Sequence, residues 1–143
     1  MKNRLFYGFL GAVLLTAMGL LGYFYYLLLW PVTVTKFNVA RFQVLTKNVK
    51  QGGTLLYVVD YCKYKDFSAN LSRSFVDSLV YRTPNTTGNL AIGCHQVTTS
   101  LQVPLALSPG VYHLEITVSY DVNPLRTETH KLATEEFQVL PRR

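Results

Sequence analysis

From Leu5 to Trp30 the chain reads LFYGFLGAVLLTAMGLLGYFYYLLLW, with no charged side chain in the run. A stretch of roughly 18 or more apolar residues reads as a membrane-spanning helix. At ~1.5 Å per residue this one reaches about 39 Å, enough to cross a bilayer with some tilt. After Trp30 the period changes from helical to two-residue alternation. In Val111 to Asp121, Tyr112, Leu114, Ile116, Val118 and Tyr120 point one way and His113, Glu115, Thr117, Ser119 and Asp121 the other. That is a strand with one wet face. His95 to Val103 alternates similarly, with Val97, Leu101 and Val103 opposite Gln96, Thr98, Ser100 and Gln102. In Thr54 to Tyr64, Leu55, Tyr57, Val59 and Tyr61 alternate with Leu56, Val58, Asp60 and Cys62, so both faces are expected to be covered. Further strands are expected within Phe37 to Leu45, Ser72 to Arg82 and Thr129 to Leu140.

Turn signals separate these runs: Gln51-Gly52-Gly53, Pro84-Asn85, Thr87-Gly88-Asn89, Ser108-Pro109-Gly110 and Asn123-Pro124. About six or seven strands in a little over 100 residues is the pattern of an antiparallel β-sandwich. The stretch SPGVYHLEITVSYDV resembles the penultimate strand of immunoglobulin-like and fibronectin-type domains, where a Pro-Gly turn leads into a Tyr-containing strand. The resemblance covers about 15 residues; it implies architecture and no activity. The expected fold is a single N-terminal transmembrane α-helix followed by an all-β, Ig-like antiparallel sandwich. The expected organisation is a cytoplasmic N-terminus at 1–4, a signal-anchor helix at 5–30 and an extracytoplasmic sandwich at 31–143. No further module is expected after the last strand.

Lys2 and Arg4 precede the apolar run, and the first charge beyond it is Lys36. Basic residues collect on the cytoplasmic side, so the N-terminus is placed inside and the β domain outside, periplasmic or extracellular. A cleaved signal peptide is the competing reading, with Ala17-Met18-Gly19 as its cleavage site. Cutting there would leave LLGYFYYLLLW at the new terminus, a poor start for a soluble protein. An uncleaved anchor is therefore expected, with Tyr23, Tyr25, Tyr26 and Trp30 as an interfacial aromatic belt. Gly8, Gly11, Ala12, Thr16, Gly19 and Gly22 fall on one stripe of the helix. Small residues there let a second backbone approach, so self-association or pairing with another membrane protein is a candidate role.

Cys62 and Cys94 are the only cysteines. Outside the cell membrane a disulfide is their expected state. It closes a loop of about 33 residues, worth roughly 3–4 kcal/mol on the chain-entropy model. Parity places Cys62 with Asp60, and Cys94 with Gln96, Thr98 and Ser100, away from the better apolar face. A staple near the surface or a strand end is expected, not the core disulfide of antibody domains.

The net charge is +6, unevenly spread. Eight basic residues against three acidic ones lie between Pro31 and Arg82, and four against five from Thr83 onward. Basic side chains near the anchor suit anionic lipid or an acidic partner, though a solvated surface also accounts for them. The aromatics sit at core parity, so nucleic-acid binding is not expected. His113 and His130, with Glu115 and Glu128, could gather on the wet face as metal ligands, but ordinary exposed polar neighbours are the stronger expectation. Cys94-His95 lacks further ligands nearby. No HExxH, phosphate loop, GxSxG or paired-carboxylate motif is present, so neither an enzyme nor a cofactor is expected. Asn70-Leu71-Ser72 and Asn85-Thr86-Thr87 match the N-glycosylation acceptor pattern. The leading functional expectation is a membrane-anchored, non-catalytic interaction or assembly protein using an open sheet face or edge. A glycan- or small-ligand-binding module, with Tyr61, Tyr64 and Phe67 around its site, is the alternative. A phage or viral envelope structural protein is a further one.

Overall fold

The apolar N-terminal run forms one helix, α1 (Lys2–Leu29). Its sequence favours this: Leu, Met and Ala are good helix formers, and nothing within it interrupts the i→i−4 ladder. Phe6–Leu29 is long and apolar enough to cross a membrane, and its most apolar window is unburied. The computed structural model describes residues 2–29 and 32–142. Trp30 and Pro31, at the end of the expected span, lie outside the described residues. Contacts divide the chain into two units, α1 with the turn 123–126, and the β-rich remainder.

Among the described residues the chain after α1 contains eleven strands: β1 (Thr35–Phe37), β2 (Gln43–Val44), β3 (Asn48–Lys50), β4 (Thr54–Lys63), β5 (Ala69–Val76), β6 (Val80–Arg82), β7 (Thr86–Gly88), β8 (Gly93–Gln102), β9 (Gly110–Asn123), β10 (Arg126–Ala133) and β11 (Phe137–Leu140). They form two sheets. In the first, β4 is central. β8 pairs with its full length, from Thr54↔Gln102 to Lys63↔Gly93, while β1 and β2 share its other side. In the second, β9 is central. β5 pairs with it from Ala69↔Tyr120 to Val76↔His113, and β10 and β11 share its other side. β6 and β7 extend β5, and β3 lies beyond β11.

The expectation of six or seven strands is corrected to eleven, because local polar groups break the longer runs. Ser72 to Arg82 is not one strand. Asp77 Oδ1 accepts the Leu79 N–H at 2.6 Å, an Asx turn that folds β6 back onto β5. Phe37 to Leu45 is interrupted by a 3₁₀ turn at Val39–Arg41, and Thr129 to Leu140 divides at Thr134-Glu135-Glu136. The sheets are also not wholly antiparallel. β3 and β11 pair in parallel, Gln138↔Asn48 to Leu140↔Lys50, which their wide separation in sequence permits. The turn expected at Gln51-Gly52-Gly53 lies between β3 and β4. Gly52 has φ +74°, a conformation open to glycine at little cost.

The core lies between the sheets, as alternation requires. Leu114, Ile116, Val118 and Tyr120 of β9 face Leu55, Tyr57 and Tyr61 of β4, and all are buried. Tyr120 and Tyr112 are almost wholly covered, and burial pushes both phenols above their ordinary pKa of 10.0.

Candidate functional site: a cleft between the sheets beside a free strand edge

One side of the two-sheet assembly is closed by specific polar contacts. Glu128 on β10 accepts the backbone N–H of Val34 at 2.9 Å and that of Thr35 at 3.4 Å. The Thr35 hydroxyl donates to the Tyr120 hydroxyl at 3.0 Å. The Phe37 and His130 rings meet edge-on at 5.2 Å, and His130 Nε2 lies 2.6 Å from Glu128 Oε1. These groups tie β1 of the first sheet to β9 and β10 of the second. Backbone donors at the edge of β1 that would face water find a carboxylate instead.

The opposite side is built differently. β8 is the outer strand of the first sheet, and among the described residues it pairs only with β4. Its ten residues, Gly-Cys-His-Gln-Val-Thr-Thr-Ser-Leu-Gln, include no Lys, Arg, Asp, Glu or Pro. Protein edges are usually protected by charge, proline or brevity. β10, the outer strand at the closed seam, carries Arg126, Glu128, His130 and Lys131, and β6 and β7 are three residues each. β8 uses none of these protections.

Beneath β8 the sheets enclose a cleft of about 190 Å³. Val59, Val97, Leu90 and Val118 supply apolar walls, and Tyr57, Thr99 and Arg73 supply polar groups. Val97 retains 40% exposure, so the apolar lining continues to the surface. Arg73 occupies an inward position on β5. It opposes Ile116 across the ladder, between the pairs Leu71↔Val118 and Phe75↔Leu114. Its Nε donates to the Tyr57 hydroxyl at 3.2 Å and its Nη1 to the Thr86 hydroxyl at 2.9 Å. Among the described residues it has no acidic partner.

Lys63, at the end of β4, is the other inward-facing cation. Its side chain is fully covered, and Nζ donates to Asn89 Oδ1 and to the Leu90 carbonyl at 2.9 Å, with Asp66 at 3.6 Å. Asn89 also donates to Asp66 at 2.9 Å, and that bond holds the Asp66 carboxyl below its ordinary pKa. Lys63 thus anchors the loop that brings Leu90 to the cleft, and its charge is already answered.

The structure joins Cys62 and Cys94 by a disulfide at the directly opposed pair Cys62↔Cys94, near the end of the β4–β8 ladder. Cys94 is exposed and Cys62 half-buried. The histidines do not gather. His113 lies with Glu115 at 3.4 Å on the outer face, whereas His130 lies at the closed seam. No metal-binding group of three His, Cys, Asp or Glu occurs among the described residues. His95 Nε2 lies 2.9 Å from the Ile92 carbonyl. Of the aromatics expected around a ligand site, Tyr61 is buried, Phe67 half-buried and Tyr64 exposed. Gly8, Gly11, Gly19 and Gly22 lie along α1, and a methyl group added at any of them meets nothing within 4 Å. In the same stripe the Thr16 hydroxyl donates to the Ala12 carbonyl at 2.9 Å. Arg73 and the cleft escaped the sequence reading. The available signal was the parity Leu71, Arg73, Phe75, which places a cation on the inward face of a strand.

No protein-family model matches the chain, and no curated protein matches it. Among solved structures the chain is similar to the sporulation control protein Spo0M from Bacillus subtilis, at 14% identity and a TM-score of 0.41. The match covers 76% of this chain, which spans 50% of that structure.

Proposed function

We infer that the protein is a membrane-anchored, non-catalytic interaction protein whose β domain receives a strand from a partner along β8. α1 serves as the permanent span, with the N-terminus inside and an Ig-like β domain outside. The uncharged, ten-residue free edge of β8 carries this reading. A row of unpaired backbone donors and acceptors is a template for another strand, and added strands gain affinity from main-chain hydrogen bonds. The flanking charges of α1 and the disulfide support the location.

The test is site-specific photocrosslinking of the full chain in its native membranes. A photoreactive side chain at Gln96 is expected to capture a partner, and one at Lys131 to capture none. Thr98→Lys and Ser100→Lys place charges on the edge at exposed positions, so folding is expected to persist and the Gln96 crosslink to disappear. Equal crosslinking in the lysine variants would overturn the β8 reading.

The inter-sheet cleft favours a second reading, a small-ligand module tethered to the membrane. Its wall is mainly aliphatic, which suits an apolar ligand better than a glycan.

A further inference from the structure

We propose that the inter-sheet cleft is a binding site for a small monocarboxylic acid with a short apolar body, and that Arg73 receives the carboxylate. The inference rests on the small-ligand reading and is independent of strand addition at β8.

Size sets the first limit. Pockets for drug-sized ligands run to ~300–1,000 Å³. At about 190 Å³ this cleft is smaller. It has room for roughly six waters at ~30 Å³ each, so a ligand of about eight heavy atoms with its head at the mouth fits. The wall sets the second. Val59, Val97, Leu90 and Val118 offer aliphatic surface and no charge.

Charge sets the third. Arg73 has five N–H donors in a planar fork, and two of its nitrogens already bond to Tyr57 and Thr86. Its remaining donors have no carboxylate among the described residues. The Tyr57 hydroxyl accepts from Arg73, which leaves its own proton to donate. Thr99 adds a hydroxyl to the same lining. Three donor-bearing side chains therefore serve a cleft with no acidic residue in its wall. An arginine fork matches a carboxylate bidentately. A neutral ligand would leave the cation unanswered, and an amine would be repelled. Lys63, the neighbouring buried cation, does not compete because Asn89, Leu90 and Asp66 satisfy it.

The probe is 4-methylpentanoate, compared with 4-methylpentanamide and 3-methylbutylamine. The full chain is held in zwitterionic nanodiscs with labelled valine and leucine methyl groups, and protein-free nanodiscs control for partitioning into lipid. The acid is expected to shift the Val59, Val97 and Val118 methyl resonances saturably. The amide is expected to bind at least about tenfold more weakly, and the amine not at all. Arg73→Gln should remove the preference for the acid, and Arg73→Lys should keep part of it. Thr98→Lys, the edge variant, should bind the acid as the parent does. Equal affinity for acid and amide, or no saturable shift at these three valines, overturns the proposal. The acid–amide comparison needs no variant, so it decides the matter even if Arg73→Gln fails to fold.

Discussion

Glu128 on β10 accepts the backbone N–H of Val34, across the gap between the two sheets, at 2.9 Å. The two residues are far apart in sequence, and a side chain joins the sheets where, among the described residues, no ladder runs between β1 and β10. The bond is charge-assisted and the carboxylate is largely covered, 12% exposed. Glu128→Ala strands the Val34 and Thr35 N–H groups at a part-buried site. Chemical denaturation should show a loss of about 1–3 kcal/mol. Glu128→Gln keeps an accepting oxygen and should lose less. Equal losses in the two variants would mean that packing, not the hydrogen bonds, closes this seam.

Lys63 has no exposed side-chain surface, an unusual state for lysine. Its stem packs as a hydrocarbon while Nζ satisfies Asn89 and the Leu90 carbonyl. Lys63→Met retains the stem and loses the donors. It should destabilise by about 1–3 kcal/mol, with a larger loss in Lys63→Ala, which also opens a cavity. The 89–90 loop should loosen with it, seen as faster amide exchange at Leu90. Unchanged exchange there would show that the loop is held by other contacts.

Cys62 and Cys94 oppose each other near the end of the β4–β8 ladder, 32 residues apart in sequence. Because Cys94 is exposed, a mild reductant should reach the bond in the folded protein. Cys94→Ser and Cys62→Ser together should cost roughly 3–4 kcal/mol on the chain-entropy model. Since β4 and β8 pair over ten residues, the ladder should survive as fraying at Lys63↔Gly93 and not as loss of the sheet. Hydrogen exchange along β8 distinguishes the two results.

The elements that alternation revealed are those whose two faces differ in polarity. β9, with His113, Glu115 and Thr117 opposite Leu114, Ile116 and Val118, stands out; in β4 the apolar Leu56 and Val58 point to two covered faces, yet Leu56 is exposed and one face of β4 is the better covered. Period-two counting passes over a short polar group that redirects the chain. Asp77 turns the Ser72 to Arg82 run into β5 and β6, and no apolar spacing signals that. Parity leaves His113 and His130 together on the wet face; the structure parts them, with His113 on the outer face beside Glu115 and His130 against Phe37 at the closed seam. The cleft was not legible, because it depends on which edges stack. Glu128 ties β1 to β10, the sheets part at β8, and only that arrangement turns the inward Arg73 into a cation beside aliphatic side chains.

Tyr112 and Tyr120 lie above the ordinary phenol pKa, chiefly through burial. The Thr35 hydroxyl bond opposes the shift at Tyr120. A folded-state pKa raised above the unfolded one means that the native state holds the proton more tightly. The associated stability is fully present below about pH 10 and is lost as pH rises through the raised values. By ultraviolet absorbance the folded protein should show a delayed tyrosinate fraction that disappears on unfolding. Tyr120→Phe should shrink that fraction and flatten the fall in stability above pH 10. A folded protein without that delayed fraction would contradict the assignment of Tyr112 and Tyr120.

Gly11 and Gly19 bear on whether α1 does more than anchor. Along that stripe an added methyl group meets nothing within 4 Å, so Gly11→Leu and Gly19→Leu place their bulk in open space. Leucine is also the better helix former, by roughly 0.5–1 kcal/mol, so the helix itself should be strengthened. The variants therefore separate association from folding. If the small-residue stripe meets another helix in the bilayer, bulk at Gly11 keeps the backbones apart, and crosslinked oligomers in native membranes should fall while helix content does not. Leu10→Ala, on the face opposite the stripe, should leave them unchanged. Loss of oligomers in Leu10→Ala but not in Gly11→Leu would move the contact to the other face of α1, and no change in any variant would leave α1 as a tether alone.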